Sequence, residues 1–329
     1  MRRSAFIGVV VVVALVVLSG LGIDARDRLG TWAIAPLGTL PGFEFSEALA
    51  INDRNEIAGV SGSSNGIAHA ALWHGGEIID LGTLGGLTSR AWGINDRGQV
   101  VGEAQTADGD FHAFLWEDGV MTDLSAAGPF NRAFEINRRG EIVGHHQLQS
   151  LLWRDGALIP LDLSAALDIN DHSVVAGSVF DIGVGSRAAI WRDGSVVELA
   201  LPPGATDSGA RAINQRSVVV GESLVGGIVQ AFRWEDGTTV RLPSLIPSGA
   251  TFALDVDHHG VVVGQSMSDP NTVGGAPHGV AWLGDQIVDL GTLSGGTLSV
   301  AWAINDRGII AGFSTDATGL GQAVVWVPQ

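Results

Sequence analysis

Short runs of apolar and β-branched residues, separated by tight polar turns, fill the chain from about residue 32 onward. In the clearest stretch, a run ending at Ile94 is followed by the turn Asn95–Gly98, a second run at Gln99–Gly102 and a third at His112–Trp116. Asn, Asp and Gly tolerate the backbone angles of tight reversals, so each such turn predicts a hairpin between two strands. No helical periodicity follows the N-terminal segment, and the pattern predicts an all-β fold.

This pattern occurs seven times at spacings of 33 to 48 residues, most of them close to 43. The dipeptide Ile-Asn marks six copies and Val-Asp marks the seventh, and the polar residues of these pairs are Asn52, Asn95, Asn137, Asn170, Asn214, Asp257 and Asn305. Seven residues after each of them stands a glycine, namely Gly59, Gly102, Gly144, Gly177, Gly221, Gly264 and Gly312. One tryptophan follows in every unit, namely Trp73, Trp116, Trp153, Trp191, Trp234, Trp282 and Trp326. Units of this length with four short strands are typical of β-propeller blades.

The two ends of the repeat array complement each other. The seventh unit stops after its third strand, at Trp326, and the first unit is preceded by Trp32–Leu40, which resembles the fourth strand and link at Gln286–Leu293. We therefore predict a closed seven-bladed β-propeller of four-stranded blades, in preference to an open β-solenoid, with the N-terminal strand completing the last blade. We expect the tryptophans to form wedges between blades. Each repeated glycine should lie where a side chain would meet the next blade or where the strand must bend.

The first 25 residues predict an export signal peptide or a membrane anchor, followed by the propeller at 26–329. Arg2 and Arg3 precede the uncharged, apolar stretch Ser4–Ile23, which Asp24 ends. This order is typical of a cleaved signal, and the stretch is also long enough to span a bilayer if it stays attached. In both cases the remainder is exported, to the periplasm or the extracellular space.

Charge and composition exclude several classes of function. The net charge is −17, all 18 basic residues are arginine, and there is no cysteine. So acidic a chain would be repelled by a phosphate backbone, which argues against a nucleic-acid partner. Without cysteine there are no disulfides, thiolate metal sites or cysteine nucleophiles.

Several strings resemble the HAF repeat, a bacterial repeat family predicted to be extracellular. They include HAFLW at His112–Trp116, HAALW at His69–Trp73, INDRGQVVG from Ile94 and GTLGG at Gly82–Gly86. The resemblance covers the chain beyond its N-terminal segment and implies export and a repeated β-structure. It implies no established catalytic activity, so no catalytic residues are carried over.

The variable loops carry the candidate ligand-binding residues. In the usual order of blade strands, the loops of varying length gather on one face of the disc, and variable loops on a rigid scaffold are typical of a binding surface. Their acidic and basic side chains suit a polar or cationic ligand. The candidates are Asp108, Asp110, Asp181, Arg187, Asp269, His278 and Asp316.

Other repeated polar positions favour structural roles over metal binding. The position four residues before each tryptophan holds His, Gln or Arg, which predicts a structural hydrogen bond rather than a ligand set. The turn residues Asp53, Asp96 and Asp306 could bind calcium, but the same position is not acidic in three other units. Turn formation explains these residues better. We predict no metal site and no cofactor, with a calcium requirement left open.

These observations favour an exported binding or interaction module of the cell envelope or extracellular space. Its partner would be a polysaccharide, a peptide or another protein. An enzyme, either a lyase or a hydrolase acting at the mouth of the central channel, is the first alternative, and a structural adhesion protein is the second. Convergent charged residues with a shifted acid or base in one pocket would favour the enzyme.

Overall fold

A computed structural model describes residues 31–268 and 276–329. The predicted signal or anchor at residues 1–25 and the candidate Asp269 lie outside the described residues. Within these two ranges, the helical structure is one short 3-10 turn at Leu124–Ala127. None of the helices there has the length and apolar character needed to cross a membrane.

In the described part of the chain, twenty-eight strands form seven blades of four antiparallel strands, in sequence order except that β1 is the outer strand of the seventh blade. Blade one is β2 (Phe45–Ile51), β3 (Ile57–Gly62), β4 (Ala68–His74) and β5 (Glu77–Gly82), and blade two is β6 (Gly85–Ile94), β7 (Val100–Thr106), β8 (Phe111–Glu117) and β9 (Val120–Asp123). Blade three is β10 (Arg132–Ile136), β11 (Ile142–His146), β12 (Gln149–Arg154) and β13 (Ala157–Pro160). Blade four is β14 (Ala165–Ile169), β15 (Val175–Asp181), β16 (Gly185–Arg192) and β17 (Ser195–Glu198).

The remaining three blades follow the same plan. Blade five is β18 (Ala205–Ile213), β19 (Val219–Val225), β20 (Ile228–Glu235) and β21 (Thr238–Arg241), and blade six is β22 (Thr251–Val256), β23 (Val262–Met267), β24 (Pro277–Leu283) and β25 (Gln286–Asp289). Blade seven is β26 (Ser299–Ile304), β27 (Ile310–Thr315), β28 (Gly321–Pro328) and β1 (Trp32–Pro36). A single parallel bridge, Ala68 to Thr88, joins the sheets of blades one and two.

The predicted closure of the ring is confirmed. The N-terminal strand β1 pairs with β28 in antiparallel register, from Trp32 opposite Pro328 to Pro36 opposite Val324. The seam between blades seven and one is further held by the backbone N–H of Ala323, which donates to Ser46 Oγ at 2.9 Å. The tight turns within each blade define one face of the disc, called here the tight-turn face. The loops between second and third strands define the other, the variable-loop face.

Seven apolar clusters hold the disc together, one in each seam between neighbouring blades. Each cluster contains one of the repeated tryptophans, which packs against the preceding blade and so confirms the predicted wedge. Trp282 and Trp326 are fully buried, and their indole N–H groups donate to backbone carbonyls of the preceding blade. Trp116 is only half-buried.

A β-bulge in the innermost strand of every blade explains the repeated glycine. A side chain at any of the seven glycines would place its Cβ 1.8–2.1 Å from a carbonyl oxygen of the innermost strand. At Gly221, for example, that oxygen belongs to Gly209 and lies 2.0 Å away. The collision is therefore with the same blade and not with the next one, so the first of the two predicted reasons is wrong and the bend is the cause.

We expect Gly221→Ala to destabilise the protein by about 3 kcal/mol or more, because the methyl group overlaps a fixed backbone oxygen. Gly209→Ala, in the paired strand, is the matched control, since the nearest atom to its Cβ would be 4.0 Å away. Chemical denaturation of the two variants measures the difference. Equal losses would show that the bulge does not require glycine.

Candidate functional site

The seven innermost strands surround a central channel of about 630 Å³. In each blade the bulge directs toward the channel the residue that lies three positions before the repeated Asn or Asp. These channel-lining residues are Leu49, Trp92, Phe134, Leu167, Arg211, Leu254 and Trp302. The residue before each of them is a buried alanine, which lets neighbouring blades approach closely. The bulge therefore separates a constant packing position from a variable channel position.

A belt of asparagine side chains encircles the channel toward the tight-turn face. Each Oδ1 accepts hydrogen bonds from backbone N–H groups of its own turn, as Asn52 does from Arg54 and Glu56. Each Nδ2 donates to the carbonyl of the equivalent residue in the next blade. Six such links of 2.8–3.1 Å join the blades, and Asn305 to Asn52 closes the circle. The belt explains why asparagine recurs, which the turn alone does not require.

A second ring lies one residue further along, at the tight-turn mouth of the channel. Its members are Asp53, Asp96, Arg138, Asp171, Gln215, His258 and Asp306. Side-chain oxygens of this ring accept backbone N–H groups of the preceding blade in five of the seven seams. The guanidinium of Arg138 forms ion pairs with Asp53, Asp96 and Asp171. Of the aspartates considered as calcium ligands, all three accept a backbone N–H group, and Asp53 and Asp96 also pair with this arginine.

Three carboxyl groups stand deeper in the channel, directly before the Ile-Asn or Val-Asp pair. Asp168 accepts the N–H groups of Ile169 and of Ile213 in the next blade, each at 2.6 Å. Asp255 accepts those of Val256 at 2.7 Å and of Ile304 at 2.8 Å, again across a seam. The third carboxyl, Glu135, accepts the N–H of Ile136.

Burial changes the acidity of these three groups. It raises the pKa of Asp168 to about 6 and that of Asp255 to about 7, despite the backbone hydrogen bonds, which act in the opposite direction. Burial and the nearby negative charge of Asp168 hold the pKa of Glu135 well above its ordinary value. The channel therefore contains acids that change protonation close to neutral pH.

Aromatic rings line the channel in blades seven, two and three, and guanidinium groups lie against the rings of blades two and three. The indole of Trp92 lies between Arg90 and Arg132, whose guanidinium carbons are 5.0 and 5.4 Å from its centre. Glu103 binds the Arg132 Nε at 2.7 Å, and Glu47 accepts the Trp302 indole N–H at 2.9 Å. These carboxylates fix the rings in place, so the wall offers rigid aromatic faces.

The candidates from the variable loops do not line the channel. Asp108 and Asp110 are exposed on a loop of the variable-loop face, and Asp181 is exposed as the last residue of β15, next to another such loop. Asp316 belongs to such a loop, where its carboxylate accepts the hydroxyl and N–H of Thr318, and these hydrogen bonds lower its pKa. Arg187 donates to the carbonyls of Ser186 and Thr206.

The histidine candidate belongs to a repeated structural pair. His278 Nδ1 lies 2.8 Å from Asp289 on the next strand, and this contact raises the pKa of the histidine. The same pairing joins His69 to Asp80 and His112 to Asp123. A hydrogen bond at this repeated position agrees with the structural role predicted for it. Among the described residues, the structure brings none of the ligand candidates into contact with one another.

Within 31–268 and 276–329, no three His, Asp or Glu side chains are grouped so that they could hold one metal ion. His145 and His146 are neighbours on β11 and have separate contacts: His146 Nδ1 forms a hydrogen bond with Asn131, and the ring centre of His145 lies 5.2 Å from that of Phe134.

Comparison with known proteins shows the fold. No family model and no curated protein sequence matches the chain. The β-propeller domain of the trilobed protease from Pyrococcus furiosus, described as having an open velcro topology, is similar with a TM-score of 0.60 and 11% identity, over 88% of this chain and 96% of that one. In this chain, by contrast, β1 pairs into the last blade.

Two further solved structures are similar. One is the extracellular domain of a putative one-component system from B. thetaiotaomicron, with a TM-score of 0.55 and 9% identity over 90% of this chain and 39% of that one. The other is YCF48 bound to D1 peptide, with a TM-score of 0.54 and 12% identity over 90% and 94% of the two chains. At these identities the likeness establishes a β-propeller and leaves function to the site.

The raised pKa of Asp255 predicts a stability that depends on pH. Its ordinary value of 3.8 is raised to about 7, so the folded protein retains a proton that the unfolded chain releases. The resulting stability is complete below about pH 4 and is lost as the pH rises through 7. We expect Asp255→Ala to reduce the fall in Tm between about pH 5 and pH 8, measured by thermal unfolding.

The substitution is compatible with the fold, because blades one, five and seven carry Ala50, Ala212 and Ala303 at this position. Asp108→Ala, on an exposed loop, is the control and should keep the wild-type slope. An unchanged slope in Asp255→Ala would contradict the assignment of the titrating group.

Proposed function

We propose that this chain is an exported binding module of the HAF repeat family, whose ligand enters the central channel from the variable-loop face. The observation that carries the proposal is the channel itself. Its cavity of about 630 Å³ is bordered by aromatic side chains on one side and by acids that lack a basic partner on the other. Concave sites with apolar walls and a few convergent polar groups are typical of ligand binding.

Export and family membership are supported by the sequence. The apolar stretch Ser4–Ile23 after Arg2 and Arg3 has the order of an export signal, and the HAFLW and INDRGQVVG strings recur at blade spacing. The structure gives these strings a common location, because each HAF-type string is the third strand of a blade and each Ile-Asn ends the first strand. An exported propeller of this kind would work in the periplasm or outside the cell.

The charges of the channel favour a cationic ligand. Eight acidic side chains line the cavity, against three arginines, Arg132, Arg138 and Arg211. Each arginine already pairs with carboxylates, and Glu103 and Glu222 hold the first and the last of them. Those of the acids that are ionised near neutral pH attract cations into the channel, and the faces of Trp92, Phe134 and Trp302 favour them further.

We therefore infer that the ligand is a peptide or an exposed protein segment that carries an arginine or lysine side chain. Among proteins of similar fold, YCF48 holds a D1 peptide, so peptide binding is compatible with a propeller of this size. A polysaccharide is the competing ligand, and it would stack on the same aromatic faces without using the acids.

One observation favours an enzyme as a second candidate. Asp168 and Asp255, whose pKa values burial raises to about 6 and about 7, could act as general acids near neutral pH in a hydrolase or lyase. Both groups, however, use both carboxylate oxygens on backbone N–H groups of the inner strands. This arrangement supports a structural role for them, and binding is therefore the first proposal. An adhesion role would need neither the acids nor the aromatic wall.

Filling the channel tests the binding site. Leu254→Trp places in blade six the residue that blades two and seven carry at this position, so the fold should tolerate it while the channel narrows. Purified protein is screened on glycan arrays and on peptide arrays in which each Arg or Lys has a Gln counterpart, and the hits are titrated calorimetrically. We expect basic peptides to bind and Leu254→Trp to lower their affinity at least about tenfold.

Asp108→Ala on the variable-loop face is the matched control and should bind within about twofold of the wild type. The opposite result, a loss in Asp108→Ala and none in Leu254→Trp, would move the site to the loops. Hits confined to glycans would replace the cationic peptide by a polysaccharide, and turnover of a bound ligand would establish the enzyme.

A further inference from the structure

The asparagine belt is broken at one seam only among those the structure describes, the seam between blades six and seven. There the repeated position holds Asp257. Its backbone carbonyl accepts the hydrogen bond from Asn214, but its side chain has no amide N–H that could donate to blade seven. Its Oδ1 keeps the role of the asparagine oxygen and accepts the Val261 N–H at 2.8 Å. By equivalence with the six asparagines, its Oδ2 corresponds to the amide nitrogen that donates to the next blade, and the acceptor in this seam would be the carbonyl of Asn305.

An ionised carboxylate cannot serve in this place. At the other six seams the side-chain nitrogen lies 2.8–3.1 Å from the next carbonyl and donates to it. A carboxylate oxygen and a carbonyl oxygen are both acceptors, so at the seventh seam a bond forms only when the carboxyl carries a proton. The side chain of Asp257 is only 3% exposed, so water does not readily replace that proton as a donor.

The surroundings of Asp257 oppose ionisation on balance. Burial is the main cause that raises its pKa, and the negative charge of Asp306, from blade seven, acts in the same direction. Asp255 lies on the same strand, with its own raised pKa. The groups that lower the pKa of Asp257 are the N–H groups of Val261 and Gly260 and the imidazole of His259, whose Nδ1 lies 3.6 Å from Asp257 Oδ2. From blade five the belt residue Asn214 adds no charge.

We propose that Asp257 makes the seam between blades six and seven a proton-dependent joint. With a neutral carboxyl, the hydroxyl donates to the carbonyl of Asn305 and the belt is complete through all seven blades. With an ionised carboxyl, this link is lost and two acceptors face each other. The seam therefore tightens as the pH falls and loosens as it rises, and the other six seams, which use amides, do not respond in this way.

Hydrogen exchange of the full chain, followed by mass spectrometry at about pH 4.5 and about pH 8 and corrected for intrinsic rates, tests the joint. Asp257→Asn supplies the amide that six blades already have. We expect it to slow exchange in segments 254–264 and 300–310 about fivefold at the higher pH and to leave it unchanged at the lower one. The Tm should rise by about 2 °C at the higher pH only.

Asn214→Asp is the reciprocal variant, because it moves a second break to the seam between blades five and six. It should speed exchange in that seam at the higher pH and much less at the lower one. Asp255 also titrates near this joint. Because both the wild type and Asp257→Asn contain Asp255, its titration does not account for a difference between the two proteins. An equal gain in protection at both pH values, or no gain at either, would overturn the proposal.

Discussion

The structure depends on how seven open sheet edges are satisfied at the centre of the disc. The innermost strand of each blade has no further strand of its own sheet beside it, so its N–H and C=O groups face the axis. The repeated asparagine meets this constraint with one side chain. Its oxygen caps its own turn and its nitrogen reaches the next blade, so the residue that ends a strand also sets the distance to the neighbouring strand. The same side-chain link joins blade seven to blade one, from Asn305 to Asn52, so the belt closes into a ring.

The bulge is the second consequence of these open edges. It turns one residue of each inner strand toward the channel and presses a carbonyl oxygen against the second strand, where only glycine leaves room. The buried alanine of the first strand and the glycine of the second strand are therefore the same in all seven blades. The channel-lining residue that follows the alanine varies from blade to blade, for example from leucine to tryptophan. The scaffold is carried by residues that repeat, and the chemistry of the channel by the residues that do not.

The sequence predicted the repeated part well and the channel poorly. Strand number and blade count followed from the Ile-Asn pair, the glycine and the tryptophan, because each recurs in nearly every unit with a steric or hydrogen-bonding cause. Ring closure followed from the likeness of Trp32–Leu40 to the fourth strand and link at Gln286–Leu293. Asp168, Asp255 and Trp302 were missed as site residues because the residue type at their positions changes from blade to blade and matches no motif. Aligning the seven units at the asparagine would have shown them as variable residues inside a constant frame. The bulge that aims them inward has no sequence signal beyond the glycine opposite.

Because the seven units differ in sequence, the channel has two chemically different sides, which a ring of seven identical units would lack. Blades seven, two and three contribute Trp302, Trp92 and Phe134, while carboxyls without a basic partner stand in blades three, four and six. A symmetric ring would hold a ligand equally well in seven orientations about its axis. Here a ligand with a planar or apolar part and a cationic part gains most when the first meets the aromatic wall and the second meets the acids. Because each acid already accepts backbone N–H groups, an arriving cation replaces only a proton and leaves the inner strand edges capped.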